Sequence, residues 1–441
     1  MKINIITLGC AKNTADSEHI AGQLSAAGHK VVFDNQRNDA DIIIVNTCGF
    51  IGDAKEESIN ALLEQVEIKS HGRKQRKLIA VGCLIERYKK ELKKEIPEID
   101  AFYGVHEWEK IVNDILKGRI LPQITDYRRI TDFNTKRLHS TPRHYGYLKI
   151  SEGCNRRCSY CAIPYIRGRH ISRPLEAILQ EAKSMVQQGV QELIVIAQDT
   201  TYYGVDLYGE RKLGELLRRL ATESGAKWIR LHYTYPTDFP TDAIEAMKTY
   251  SNICNYIDIP LQHISTHLLK SMQRGIDREG TINLIRKFRE AMPDVAIRTT
   301  FIVGYPGETQ KDFQELCDFV KETKFDRMGV FPYSPEEGTV AETLNDVIPE
   351  ETKLERVSQL MAIQEQISLE KNLQKIGKTY SVIIDRKEGD YYIGRTEYDS
   401  PEVDDEVLIP ANGKVLHNGK FYTIKITDAL ENDLYGVLVE K

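Results

Sequence analysis

The stretch "SEGCNRRCSYCAIP", Ser151 to Pro164, contains three cysteines within eight residues. It directly follows "GYLKIS", an apolar segment that predicts a strand, so the cysteines lie in a loop at the C-terminal end of that strand. Enzymes built from alternating strands and helices form their active sites from such loops. Three thiolates on a four-iron cube leave one iron open, whereas a structural zinc site needs four ligands. The spacing therefore predicts a catalytic iron-sulfur site, with zinc as the less favoured alternative.

The composition is that of a multidomain globular protein. The chain has 441 residues, 41% of them hydrophobic, and a formal net charge of -5. Its apolar runs are much shorter than the ~20 residues of a membrane-spanning helix. The first residues, "MKINIITLGC", predict a strand and not a cleavable signal peptide. We therefore expect a cytoplasmic protein, in which the eight cysteines are reduced thiols.

The hydrophobic pattern divides the chain into three units of an α/β fold. Residues 1–118 alternate strands and helices, which predicts a parallel sheet covered by helices. Residues 119–139 are polar and basic and predict a linker. Residues 140–370 contain six strand candidates separated by helix-length segments, which favours a partial (β/α)6 barrel over a closed eight-unit barrel. In residues 373–441 the period falls to two, as in a small antiparallel β-barrel.

The motif "CNRRCSYC", in the first strand-to-helix loop of a six-unit partial barrel, resembles the radical S-adenosylmethionine (SAM) superfamily. The resemblance implies that Cys154, Cys158 and Cys161 hold a [4Fe-4S] cluster and that SAM chelates its open iron. Reductive cleavage of SAM then yields a deoxyadenosyl radical. The resemblance also implies SAM contacts at or near the ends of the barrel strands. The residues expected to make them are Tyr160, Gln198, Asp199, Gly304 and Glu308.

Three further cysteines share a common placement. Cys10 in "TLGC", Cys48 in "NTCG" and Cys83 in "VGCL" each end an apolar strand beside a glycine. The C-terminal ends of parallel strands share one edge of a sheet, so these three cysteines can converge there. A lone cysteine at such a position is usually a small buried hydrophobe. Cys254, which precedes a predicted strand, and Cys317, inside a helical pattern, are expected to be such core residues.

Together the three units resemble the methylthiotransferase family, whose C-terminal barrel is the TRAM domain. That resemblance implies that Cys10, Cys48 and Cys83 hold an auxiliary [4Fe-4S] cluster, which carries the sulfur to be donated. The motifs "LGCAKNTADSE", "NTCGFI" and "IPLQHISTHLLKSMQRG" resemble the branch that methylthiolates the β-carbon of an aspartate in ribosomal protein S12. In that reaction one SAM supplies the radical and a second SAM supplies the methyl group.

Two alternatives to this function stay open. The first is a tRNA methylthiotransferase that modifies an adenosine near the anticodon, although that branch usually has a glutamine-containing version of the first motif. The second is a non-enzymatic iron-sulfur sensor that binds RNA through its tail. Formation of deoxyadenosine from SAM would exclude the sensor, and modified tRNA nucleosides would establish the tRNA enzyme.

The charge of the tail bears on the partner. Residues 373–441 contain nine Lys and Arg against thirteen Asp and Glu, with "EYDSPEVDDE" as the densest acidic run. An acidic surface favours a basic partner such as ribosomal protein S12 over a tRNA backbone, and a solvated acidic loop is the alternative. The basic runs "HGRKQRK" and "DYRRI" are candidates for a ribosomal RNA contact. We further expect an electron donor such as flavodoxin or ferredoxin, no membrane contact and a monomer.

Overall fold

The computed structural model of the protein describes residues 1–35, 39–71, 76–120 and 136–439. Within these ranges, none of the helices is both long enough and apolar enough to span a bilayer. Most of the predicted linker, residues 119–139, lies outside the described residues. The basic run "DYRRI" and most of "HGRKQRK" lie outside them as well, so their predicted contact with RNA stays a prediction.

The N-terminal unit is a parallel sheet with helices on both faces, as its alternating pattern predicts. Its strands are β1 Lys2–Thr7, β2 Lys30–Phe33, β3 Ile42–Thr47, β4 Lys77–Gly82 and β5 Ala101–Tyr103. Its helices are α1 Ala11–Ala26, α2 Gly52–His71, α3 Cys83–Glu95 and α4 Trp108–Leu116. The strand order β2-β1-β3-β4-β5 reverses between β1 and β3. A crevice opens outside the carboxyl ends of the strands at such a point.

The central unit contains six parallel strands. The strands are β6 Tyr145–Lys149, β9 Glu192–Ile196, β10 Trp228–Leu231, β11 Ile253–Asp258, β12 Ala296–Val303 and β13 Arg327–Pro332. A short hairpin, β7 Ser151–Glu152 with β8 Ile171–Ser172, follows the first of them. The strands lie side by side in chain order, from β6 at one end to β13 at the other. The predicted six-unit parallel architecture is therefore confirmed.

The helices of the central unit are α5 Ile163–Arg167, α6 Leu175–Gln187, α7 Val205–Tyr208, α8 Leu213–Glu223, α9 Thr241–Thr249, α10 Thr266–Ser271, α11 Arg278–Ala291, α12 Gln310–Thr323 and α13 Glu350–Leu373. α5 packs against Cys83 of the N-terminal unit, and α7 has no buried residue. α6, α8, α9, α11, α12 and α13 cover one face of the six-stranded sheet. The largest apolar core joins alternate strand residues such as Leu193, Ile229 and Ile257 to these helices. Because side chains alternate along a strand, the intervening residues occupy the opposite, inner face.

The C-terminal unit is a closed five-stranded barrel. Its strands are β14 Thr379–Glu388, β15 Tyr391–Arg395, β16 Glu406–Pro410, β17 Phe421–Ala429 and β18 Asp433–Leu438. Four of the neighbouring pairs are antiparallel, as predicted, whereas β16 and β18 pair in parallel. Cys254, expected just before a strand, is the second residue of β11 and is buried against Trp228 and Tyr256.

Most of the acidic run of the C-terminal unit faces the central sheet and not the solvent. The loop of residues 396–405 lies against the inner face of the six-stranded sheet. Asp404 accepts hydrogen bonds from Tyr256 Oη at 2.7 Å and from Arg298 Nε at 3.2 Å. Arg327 forms ion pairs with Asp399 and with Asp405. These carboxylates balance the guanidinium groups of the half-buried Arg298 and the buried Arg327, and a buried guanidinium group cannot be left unpaired without a large cost.

The expectation that this run meets a basic partner protein is therefore wrong for most of its carboxylates. Of the charged residues described in the barrel, five lysines and four acidic residues are exposed. They are Lys378, Lys387, Lys414, Lys420 and Lys425, and Glu388, Asp390, Glu402 and Asp428. Even the exposed Glu402 accepts hydrogen bonds from Tyr145 and Tyr147 of β6. The net charge of the segment failed as a guide because it counts carboxylates without regard to burial.

Loss of one buried carboxylate is expected to destabilise the contact between barrel and sheet. Glu192 of β9 is fully buried and accepts from Arg230 Nε at 2.7 Å and from Arg395 Nη2 at 2.8 Å. Glu192→Gln removes the charge between these two guanidinium groups. Breaking a buried ion pair costs about 3–5 kcal/mol, which lowers the melting midpoint by on the order of 10 °C. Differential scanning calorimetry measures the shift.

The matched control is Glu176→Gln. Glu176 pairs with Arg219 in solvent, with 76% of its side chain exposed. Exposed pairs contribute about 0–1 kcal/mol, so this variant is expected to melt close to the unmodified protein. Equal midpoints for the two variants would contradict the role assigned to Glu192.

Candidate active site between the N-terminal crevice and the barrel

The cysteines of the N-terminal unit follow three adjacent strands. Cys10 comes after β1 and precedes α1, Cys48 directly follows β3, and Cys83 directly follows β4. β3 pairs in parallel with both β1 and β4, so the three cysteines share one edge of the sheet. Gly9 allows the close approach, because a Cβ at this position, with φ +87°, would lie 2.6 Å from the Cβ of Cys48.

A cation from the central unit reaches the N-terminal cysteines. Arg167 of α5 is buried, and its Nη2 donates to Asn13 Oδ1 at 2.6 Å. The same oxygen faces the Sγ of Cys83 at 3.8 Å. Burial raises the pKa of a thiol, but Lys12 and Arg167 bring the pKa of Cys10 below its ordinary value. For Cys83 burial prevails and raises the pKa to about 11.

The cysteines of the central unit lie between β7 and α5. Arg274 Nη1 donates to Cys158 Sγ at 3.4 Å, and Tyr235 Oη lies 3.4 Å from the same sulfur. Burial raises the pKa of Cys154 to about 12 and also raises that of Cys161. Thiols so buried become stable anions only where a positive partner such as iron binds them.

The thiols of each set are free and buried or half-buried. Among the described residues, no three His, Cys, Asp or Glu side chains are placed to hold a single metal ion. A four-iron cube makes a different demand, because each thiolate binds a separate corner. Three thiols within one loop, or at one sheet edge, with a buried arginine beside them fit an anionic cluster of that kind.

The two cysteine sets are close to each other. Cys83 packs in one buried cluster with Val105, Ala162 and Ile166, and Ala162 is the residue after Cys161. On the other side, Lys12 Nζ lies 3.1 Å from the ring centroid of Tyr233. Tyr235, which contacts Cys158, is two residues further along the same segment. The N-terminal crevice therefore faces the carboxyl ends of the central strands.

Tyr160, Gln198 and Asp199, expected to contact SAM, lie around these cysteines. Tyr160 accepts from Arg274 Nη1 at 3.2 Å and lines a cavity of about 450 Å³ between residues 50–53 and the ends of β12 and β13. Gln198 donates to Glu152 at 2.8 Å, while its Oε1 is buried without a hydrogen-bond partner among the described residues. Asp199 pairs with Arg156 at 2.7 Å. The open acceptor of Gln198 favours a ligand there.

Gly304 and Glu308 have partners within the protein. The carboxylate of Glu308 accepts from the backbone N–H of Gly304 and pairs with Arg356 at 3.0 Å. The Cα of Gly304 packs under Lys353 of α13, whose Cγ would lie 2.2 Å from an added Cβ. Their assignment as SAM contacts stays a prediction. In the structure both residues also contact α13 and help to position it.

Several residues of the site were not singled out from the sequence. They are Lys12, Asn13, Arg167, Tyr233, Tyr235 and Arg274. Lys12 and Asn13 lie within the motif "LGCAKNTADSE" and Arg274 lies within "IPLQHISTHLLKSMQRG", so the motifs were a usable signal for these three residues. Arg167, Tyr233 and Tyr235 carry no local pattern, because their role depends on contacts with residues far away in the chain.

Three segments of the chain match known families. Residues 148–320 match the radical SAM superfamily, residues 2–104 match an uncharacterized protein family called UPF0004, and residues 376–439 match the TRAM domain. The fold is similar to that of a radical SAM methyltransferase, TsrM from Kitasatospora setae, with a TM-score of 0.56 and 15% identity. That alignment covers 83% of this chain and 89% of TsrM. The chain thus has the fold of a radical SAM enzyme.

Full-length relatives show which family of radical SAM enzymes the chain belongs to. Proteins named ribosomal protein uS12 methylthiotransferase RimO from Phocaeicola vulgatus and Bacteroides thetaiotaomicron are each 52% identical to this chain. The first alignment covers 99% of both chains, and the second covers 100% of this chain and 99% of the relative. The chain belongs to the RimO family of methylthiotransferases. The predicted enzyme class is confirmed, and the tRNA-modifying alternative is not favoured.

Proposed function

We propose that this protein adds a methylthio group to the β-carbon of an aspartate in ribosomal protein uS12. The observation that carries the proposal is the meeting of two cysteine sets, in which Cys83 packs with Ala162 beside Cys161. One set sits in the loop typical of radical SAM enzymes, and the other ends the strands of the N-terminal sheet. The names of the full-length relatives support the substrate.

We assign a [4Fe-4S] cluster to each set, the first to Cys154, Cys158 and Cys161 and the second to the N-terminal cysteines. The residues of the second set are Cys10, Cys48 and Cys83. When bound, the clusters and two molecules of SAM would supply three things: a sulfur atom, a methyl group, and a radical that removes hydrogen from the β-carbon. A radical route suits the substrate, since a carbanion beside a carboxylate would add charge to charge.

The protein's own side chains prepare this site. Arg274 donates a hydrogen bond to the sulfur of Cys158, and Tyr235 Oη lies 3.4 Å from the same sulfur, so the two side chains fix its position. Arg167 places positive charge beside Cys10 and Cys83 and is itself held by Glu152 at 3.1 Å. Because Arg167 belongs to the central unit, its contacts also hold the N-terminal crevice against the carboxyl ends of the central strands.

Further features of the proposal follow from the resemblance to the family. An electron donor such as flavodoxin or ferredoxin reduces the first cluster, and the protein acts as a cytoplasmic monomer. The exposed charges of the C-terminal barrel are nearly balanced, so recognition of uS12 does not depend on a strongly acidic surface there. A contact with ribosomal RNA through the basic runs remains part of the proposal.

Mass spectrometry of uS12 tests the proposed function. In cells that produce the protein, the target peptide is expected to gain a methylthio group, and in cells lacking the gene it is expected to stay unmodified. Purified tRNA from both cultures serves as the control. A methylthio change in tRNA nucleosides with uS12 unchanged would establish the alternative instead.

A further inference from the structure

Lys12 is a buried cation at the junction of the two cysteine sets. It lies in the first turn of α1, two residues after Cys10, and only 9% of its surface is exposed. Its Nζ stands over the ring of Tyr233 at 3.1 Å from the centroid, in cation–π contact. The lysine therefore points from the N-terminal crevice toward the segment that follows β10.

The other cations of the site are already engaged. Lys149 and Arg167 each form an ion pair with Glu152, Arg156 forms one with Asp199, and Arg274 donates a hydrogen bond to Cys158. The strongest electrostatic neighbours of Lys12 are the phenol of Tyr233, the thiol of Cys10 and the guanidinium of Arg167. None of these three groups is a carboxylate.

Tyr233 is held firmly as the platform for this lysine. Its backbone has φ +56°, a left-handed conformation that is rare for a bulky residue. Asp258 stabilises that conformation by accepting from the Tyr233 N–H at 2.9 Å. The ring packs beside Ala15 and Tyr147. Strained backbone of this kind persists where the surrounding structure fixes it, and it clusters at ligand sites.

Among the described residues no carboxylate pairs with Lys12, so its charge faces only the thiol of Cys10 and the ring of Tyr233, and a ligand that brings a carboxylate would supply the ion pair that the protein does not. The proposed substrate brings one. In an aspartate side chain the carboxylate is bonded directly to the β-carbon, so an anion site beside Cys10 would turn that carbon toward the N-terminal cysteines. A neutral base such as adenine has no charge for Lys12 to bind.

We propose that Lys12 binds the side-chain carboxylate of the substrate aspartate and thereby selects aspartate over its neutral analogue asparagine. This inference rests on the proposed function. It makes Lys12 a specificity-determining residue: it positions the reacting carbon and takes no part in bond breaking.

Binding of labelled peptides to the cluster-loaded enzyme tests the inference. One peptide carries the target aspartate of uS12, and a second carries asparagine in its place. The unmodified enzyme is expected to bind the aspartate peptide about 10- to 100-fold more tightly, as a charge-assisted contact would give. In Lys12→Met this preference is expected to fall to about one, by weaker binding of the aspartate peptide alone. Fluorescence anisotropy measures both dissociation constants.

Lys12→Arg is expected to restore part of the preference, since it restores the charge. Lys94→Met, which changes an exposed lysine of α3, is the matched control and should leave both dissociation constants unaltered. If Lys12→Met weakens the binding of both peptides equally, Lys12 has a structural role and the inference is overturned. An intact peptide preference with lost deoxyadenosine formation would also overturn it, because Lys12 would then serve the carboxylate of SAM.

The two proposals fail in different ways. If the unmodified enzyme methylthiolates uS12 but Lys12→Met keeps its preference for aspartate, only the role of Lys12 is wrong. If the unmodified enzyme leaves uS12 unchanged, the proposed function is wrong.

Discussion

Alanine in place of Cys158 is expected to reduce reductive cleavage of SAM to background. Cys158 is the buried thiol on which Arg274 and Tyr235 converge. Without it, Cys154 and Cys161 remain as two separated thiols that cannot hold a cube by themselves. Anaerobic assays with dithionite should therefore show no 5′-deoxyadenosine above the level without enzyme, and the iron content should fall by about half.

Two further variants show how large the effect of Cys158→Ala is, one as a control and one with an expected partial loss. Cys254→Ala changes a cysteine of the core in β11 and is expected to keep both iron and SAM cleavage. Arg274→Met removes the donor to Cys158 without removing the thiol, and loss of such an outer partner typically costs about 10- to 100-fold in activity. Undiminished deoxyadenosine formation by Cys158→Ala would refute the assignment of this loop.

Alanine in place of Cys48 is expected to separate the two halves of the reaction. Cys48 lies at the crevice, where Ser58 donates to its carbonyl and accepts from its N–H, both at 2.9 Å. The hydrogen bonds of Cys48 lie within the N-terminal unit, whereas Arg274 and Tyr235 of the central unit contact Cys158, so deoxyadenosine formation should continue. Insertion of sulfur should stop, because only two thiols of the N-terminal set remain.

Chromatography of the nucleoside and mass spectrometry of the uS12 peptide, from the same reaction, measure both halves. The expected result is a near-normal yield of deoxyadenosine with methylthiolated peptide below about 1% of the unmodified enzyme's yield, as for loss of a unit that acts as a whole. Cys317→Ala, within α12, is the control for replacing a buried cysteine. Full methylthiolation by Cys48→Ala would remove the N-terminal set from the mechanism.

Local patterns were sufficient to predict the three units and the positions of the two cysteine sets, one in a loop and one at a sheet edge. Strand-to-helix alternation gave the two parallel sheets, because the period of apolar residues reflects which side of each element is buried. The cysteines could be grouped because parallel strands end at one edge.

Contacts between distant segments could not be predicted in the same way. The pairing of Arg167 with Asn13, and of Lys12 with Tyr233, joins residues more than 100 positions apart, and the local sequence around one residue does not indicate its partner. The inward orientation of the acidic run was missed for the same reason. Its partners Arg298 and Arg327 lie on strands whose inner face becomes visible only once the sheet is assembled.

The loop of residues 396–405 limits how this protein can diversify. If a different RNA-binding barrel were joined after α13, Arg298 and Arg327 would lose their carboxylate partners. The new barrel would need acidic residues at the positions that now pair with these two arginines. Gene fusion or domain shuffling at this boundary therefore requires paired changes on both sides. By these ion pairs the C-terminal barrel and the central sheet form one electrostatically matched unit.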